Sequence, residues 1–156
     1  YNLGPARAAV AKGQRLVVAE GYMDVIALVR AGFEGAVAPL GTAITEEQLR
    51  LMWRVSPEPV IALDGDAAGL RAAMRLIDLA LPLTGPGQAL RFALLPPGQD
   101  PDDLIRAGGP AAMRAVIEAV VPKAKLAELG LSLKDSPAGF DPSALDSYSD
   151  DFGDQY

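Results

Sequence analysis

Neither cysteine nor histidine occurs anywhere in the chain. Their absence excludes a zinc site of the usual kind, a disulfide framework, a cysteine nucleophile and a Ser-His-Asp triad, and leaves any chemistry to carboxylates, Arg, Lys and hydroxyls. Lack of cysteine fits a reducing compartment, and a cytoplasmic location is expected. No apolar run approaches the roughly 20 residues that span a bilayer, so no membrane partner is expected. Tyr1-Asn2-Leu3-Gly4-Pro5 shows neither an initiator Met nor a signal-peptide pattern, and the chain reads as an excised fragment. A basic excess is lacking too: net charge is -6. Residues 132 to 156 hold six Asp against one Lys, or -5, which leaves -1 for residues 1 to 131. A nucleic-acid binder shows a basic footprint, so contact with DNA or RNA requires a metal bridging the phosphates or charge from a region outside this chain.

Against these absences stands one stretch, Pro59-Val60-Ile61-Ala62-Leu63-Asp64-Gly65-Asp66-Ala67-Ala68-Gly69. An apolar run led by Val and Ile suits a strand covered on both faces, and it stops at two carboxylates separated by a glycine. The Ala-rich periodic segment that follows suits a helix, so Asp64 and Asp66 belong to a strand-to-helix turn at the carboxyl edge of a sheet, where ligands bind. Two anions this close stay ionised together only if a cation or a dense set of donors compensates, and carboxylates without His or Cys favour Mg²⁺ or Mn²⁺. A plainer reading stands beside it: Asp66 caps the following helix.

The same design recurs along the chain. Arg15 to Ala19 reads as a strand ending in Glu20-Gly21, and Tyr22 to Ala31 as a helix ending at Gly32. Gly35 to Leu40 is a short strand, and Thr45-Glu46-Glu47-Gln48 is a capping box for a helix to about Val55. A helix from Gly69 to about Leu81 follows the Asp-Gly-Asp turn. Ala89 to Leu95 is a fourth strand, Asp100 to about Gly108 a short helix, and Pro110 to Val121 a last one with proline in its first turn. Four strand-helix units predict an α/β fold: a four-stranded, mainly parallel sheet with right-handed crossovers and helices on both faces. Three strands end in acid, at Glu20, at Asp64 with Asp66, and at Asp100 with Asp102. If those strands are neighbours, five carboxylates gather at one rim, a constellation for two or three divalent ions.

Residues 1–14 read as a lead-in, residues 15–129 as the globular domain, and residues 130–156 as a flexible acidic tail. Ser, Asp, Gly and Pro dominate the tail, with Phe140, Tyr148, Phe152 and Tyr156 among them, a composition that favours disorder. Its alternative role is as a docking peptide whose aromatics anchor on a protein partner while its Asp residues meet a basic patch.

Four segments together resemble the Toprim domain of bacterial DnaG-type primases over roughly residues 15 to 120. They are Glu20-Gly21-Tyr22-Met23-Asp24-Val25 with Leu40-Gly41-Thr42-Ala43, Leu63 to Gly69, and Leu95-Pro96-Pro97-Gly98-Gln99-Asp100-Pro101-Asp102. A Glu-Gly strand tip paired with Asp-x-Asp is shared by Toprim domains generally; Tyr-Met-Asp, Leu-Gly-Thr and Asp-Pro-Asp point to primase. The resemblance implies an enzyme that joins ribonucleoside triphosphates into RNA primers on a single-stranded DNA template, weak or inactive as an isolated fragment. Glu20, Asp64 and Asp66 would be catalytic and would hold Mg²⁺ (or Mn²⁺), and Asp100 with Asp102 would form a second metal and nucleotide site. It also implies a replicative helicase as partner, through a C-terminal region missing here. The chain departs from the family at Ala67, where a basic residue is frequent, and at Gln99, where an acid is common. Competing readings are a Toprim-type nuclease or topoisomerase fragment, an aspartyl-phosphate phosphatase, and a non-enzymatic binding module acting through its acidic tail.

Overall fold

The computed structural model describes residues 1–39, 41 and 43–122. Along the chain run α1 (Leu3–Ala11), β1 (Val17–Val18), α2 (Tyr22–Arg30), β2 (Ala36–Val37), α3 (Glu46–Val55), β3 (Val60–Leu63), α4 (Ala67–Ala80), β4 (Arg91–Leu94), α5 (Pro101–Glu118) and β5 (Val121–Pro122). The strands form one sheet in the order β2-β1-β3-β4-β5. Its first four members pair in parallel, with Val17 opposite both Ala36 and Val60, and Val60 opposite Arg91. β5 is an addition to the expected four: it runs antiparallel, setting Phe92 opposite Val121. Two residues, one of them proline, carry no period-2 signal, and proline is confined to sheet edges.

The four parallel strands β1 to β4 are buried on both faces, with alternate residues entering two separate cores. Val18, Ile61 and Phe92 pack with Leu49, Met52 and Trp53 of α3, Leu76 and Ile77 of α4, and Ala6 of α1. Val17, Val60, Ala62 and Ala93 pack with Val25 and Leu28 of α2 and Leu104, Met113 and Ile117 of α5. α1 begins inside the segment read as a lead-in, and its Ala6 is fully buried.

Local chemistry fixes the helix ends. The Gln48 N–H donates to Thr45 Oγ1 at 3.2 Å and the Thr45 N–H to Gln48 Oε1 at 3.0 Å, which is the capping box read from the sequence. Gly109, at φ 71°, breaks α5 into two pieces, with Pro110 opening the second. At one edge the Tyr1 ammonium donates to Ala38 O at 2.8 Å, Ala38 N–H donates to Tyr1 O, and Asn2 Nδ2 donates to Ala36 O at 2.9 Å.

Two glycines let backbone meet backbone under the Asp-Gly-Asp turn. A Cβ on Gly69 would run into the main chain of Asp64, and one on Gly65 into the carbonyls of Leu95 and Pro96. Alanine at an ordinary helix position gains about 1 kcal/mol over glycine, whereas overpacking against main chain costs about 1–3 kcal/mol. Gly69→Ala is therefore expected to lower stability, read as a lower urea midpoint at unchanged slope; a higher midpoint would show that helix and strand are free to separate.

Candidate functional site

Because β1, β3 and β4 are adjacent and parallel, their carboxyl ends share one rim. Glu20 follows β1, Asp64 and Asp66 follow β3, and Asp100 and Asp102 stand where the chain enters α5 after β4. The five carboxylates predicted from sequence therefore lie along three neighbouring strand ends. The loop after β4 is tied directly to the Asp-Gly-Asp turn: the Gly65 N–H donates to Gln99 O at 3.0 Å and the Gly98 N–H to Gly65 O at 2.8 Å. Leu40 and Thr42 of the Leu-Gly-Thr segment lie outside the described residues, as does the acidic tail.

Local duties divide these acids. Asp66 Oδ1 accepts from the Gly69 N–H at 2.6 Å, so the capping role is real. Asp100 Oδ1 accepts from the Asp103 N–H at 2.7 Å and caps α5. Asp102 meets Arg106 at 2.8 Å, one helical turn on. Asp100 and Asp102, expected to form a second metal and nucleotide site, thus both hold local partners. Glu20 is exposed.

Asp64 differs from the rest. Its Oδ1 is buried and has no hydrogen-bond partner, a condition shared among the described residues only with Gln99 Oε1. Burial pushes its carboxyl up from 3.8 to about 7, and the negative charges of Glu20, Asp24, Asp100 and Asp66 push the same way. Asp24 was not among the residues singled out from sequence. It is 9% exposed, the one buried charged residue among those described. Burial foremost, then the charge of Asp100, raises its carboxyl to about 6, while the Gly21 and Asp102 backbones pull the other way. The signal was present: Asp24 shares the buried side of α2 with Val25 and Leu28, where helical spacing asks for an apolar residue.

Among the described residues no three acids stand close enough to ligate one ion as placed. Magnesium, however, keeps several waters and is bound through one or two carboxylates plus substrate oxygens. An orphaned carboxylate oxygen, on a group raised by burial and then by four neighbouring anions, is what such an ion would satisfy, and the all-oxygen chemistry fits it.

A family model described as the Toprim domain matches residues 14–91, half of the chain. The chain belongs to the Toprim domain family. It is 41% identical over 145 residues to the DNA primase of Pseudomonas aeruginosa, covering 92% of this chain and 22% of that one. A solved DNA primase domain from Pseudomonas aeruginosa superposes with a TM-score of 0.80 at 41% identity, over 93% of this chain and 46% of that one. A DnaG primase catalytic domain bound to single-stranded DNA superposes at 0.79 with 39% identity, over 89% of this chain and 45% of that one. Within the family, the chain is a Toprim domain of the bacterial DnaG primase type. It spans about a fifth of the length of the curated relatives it matches.

The raised carboxyls have a direction in pH. Asp64 and Asp24 bind protons more tightly folded than unfolded, so they favour the fold below pH 4, and that contribution is lost as pH rises through about 6 and 7. In EDTA, stability is expected to fall between pH 5 and pH 8, and Asp64→Asn to flatten the slope. The difference is about 1–2 kcal/mol once solvent screening is allowed for. Thermal unfolding of both proteins across that range checks it; equal slopes would refute the assignment.

Proposed function

We propose that this chain is the metal-binding catalytic subdomain of a DNA primase, and that within a longer protein it supports joining of ribonucleotides into short RNA primers on single-stranded DNA. The observation that carries the reading is the orphaned, buried Asp64 oxygen on the strand end flanked by Glu20 and Asp100, in a Toprim domain of the DnaG type. Glu20 and Asp64 would hold Mg²⁺ (or Mn²⁺), joined by Asp66 on the oxygen that its capping bond leaves free. Asp24 adds negative charge behind them. Bound there, divalent ions supply activation of the primer 3′-hydroxyl and neutralisation of the triphosphate and departing pyrophosphate. No covalent nucleophile is required.

The relatives named above are primases, which favours this reading over a nuclease or topoisomerase fragment. One of them holds single-stranded DNA, supporting a template of that kind here. With charge near zero over residues 1 to 131, the grip on template phosphates falls to other parts of the longer protein. Asp100 and Asp102 serve as a second metal and nucleotide site once their local partners yield. A replicative helicase would act through a region outside this chain, and the acidic tail would dock on a protein partner. The compartment would be the cytoplasm; among the described residues no helix is long and apolar enough to cross a membrane.

In the full-length context, Glu20→Ala and Asp64→Ala are each expected to cut primer synthesis by about a hundredfold or more while leaving the melting temperature level or higher. Asp66→Ala should also lose synthesis, but with about 1 kcal/mol of stability from the missing cap. Primer-synthesis assays beside thermal unfolding read both effects, and near-normal synthesis by the first two variants would sink the proposal.

A further inference from the structure

Gln99 stands at the acidic rim without being an acid, in the loop between β4 and α5 and immediately before the capping Asp100. Its backbone is pinned on both sides. The Gln99 N–H donates to Pro96 O at 3.1 Å across a tight turn in which Gly98 takes φ 72°, and the Gln99 carbonyl accepts from the Gly65 N–H at 3.0 Å. Proline at the second position, Pro97, and a positive φ at the third are what a type II turn asks for. With both main-chain groups satisfied, the side chain is left over: Gln99 Oε1 is buried and has no hydrogen-bond partner.

Among the described residues that condition has a single counterpart, Asp64 Oδ1. The two residues are neighbours through the main chain, because Gly65, which exchanges bonds with residues 98 and 99, follows Asp64 directly. A carboxylate oxygen and a carboxamide oxygen both accept, so neither relieves the other, and a buried acceptor left unpaired is destabilising. Another carboxylate at position 99 would add to the repulsion that Glu20, Asp24, Asp100 and Asp66 already exert on Asp64, whereas a carboxamide offers an oxygen without a charge. What satisfies such a pair is a cation for one and a donor for the other. Magnesium brings both, since it keeps several waters when carboxylates hold it and those waters are strong donors.

We propose that Gln99 is a positioning residue of the metal site: its Oε1 accepts a hydrogen bond from a water carried by the divalent ion that Asp64 holds. The proposal rests on the metal reading above and adds a neutral member to a set otherwise made of acids. Groups that bond to a metal's ligands, rather than to the metal, set the orientation and the affinity of a site. Because the turn from Pro96 to Gln99 and the bond to Gly65 hold the residue in place, its carboxamide gives the ion's water shell a fixed reference on the β4 side of Asp64.

The test uses the 156-residue chain with Mn²⁺ as the probe, affinity being read by electron paramagnetic resonance and stability by urea unfolding in EDTA. Gln99→Met keeps the length and bulk of the side chain and removes the acceptor. Its Mn²⁺ affinity is expected to fall about tenfold, while its urea midpoint in EDTA stays level or rises, since a buried oxygen without a partner is gone. Gln99→Glu keeps an acceptor at the same reach and should bind Mn²⁺ at least as tightly as the wild-type chain, with a lower midpoint in EDTA from the added charge. Unchanged Mn²⁺ affinity in Gln99→Met overturns the proposal, as does an equal loss of affinity in Gln99→Glu. A lower midpoint of Gln99→Met in EDTA also overturns it, because that marks an amide turned the other way and donating to a carboxylate within the fold. A wild-type chain that binds no Mn²⁺ removes the metal assignment itself and this inference with it, so the two failures are told apart.

Discussion

Gly65 is clamped between its own strand and the loop after β4, and much of the candidate site depends on that clamp. Its N–H and C=O are both taken by the 98–99 backbone, and its Cα faces the carbonyls of Leu95 and Pro96 too closely for any side chain. The clamp joins the end of β3 to the entry of α5, so Asp64, Asp66 and Asp100 are positioned as one unit rather than as three independent loop residues. Backbone bonds of this kind hold the turn without asking the carboxylates themselves for help. That matters because the carboxylates repel one another.

Repulsion is contained unevenly. Asp66 and Asp100 sit at helix N-termini, where backbone N–H groups and the helix dipole favour negative charge. Asp102 has Arg106. Asp64 has neither, and the strain of the cluster therefore concentrates on it and, one layer behind, on Asp24. A fold selected for stability alone would gain from Asn or Ser at position 64; under the proposed function, the positive charge that the unpaired Oδ1 lacks is the metal's.

Much of this was legible in the sequence because local rules and tertiary demands agree. Val60 to Leu63 reads as a buried strand from its apolar run, the Thr45–Gln48 capping box from spacing, and the break at Gly109-Pro110 from residue types that cannot continue a helix. Asp66 carried two readings, cap and ligand; the capping bond is seen, and it occupies one carboxylate oxygen. What escaped reading depends on partners distant in sequence. β5 exists because β4 offers it an edge, and the contact between Gly65 and residues 95–99 leaves no local trace beyond the glycine itself. Asp24 was quoted within a motif but not weighed for its place on a buried helix face.

The polar groups along the outer side of β2 are spoken for: Ala38 N–H and C=O pair with Tyr1, and Ala36 C=O accepts from Asn2. At the far side, β5 covers β4 with a proline-bearing segment. A five-stranded sheet with two raw margins would be a template for strand addition and thus for self-association into aggregates. Here short stretches from either end of the described chain act as selvedges. On the β2 side the weave is closed to a further strand, and on the β5 side Pro122 has no N–H to offer one, which leaves the strand ends, where the acids are, as the open face of the sheet.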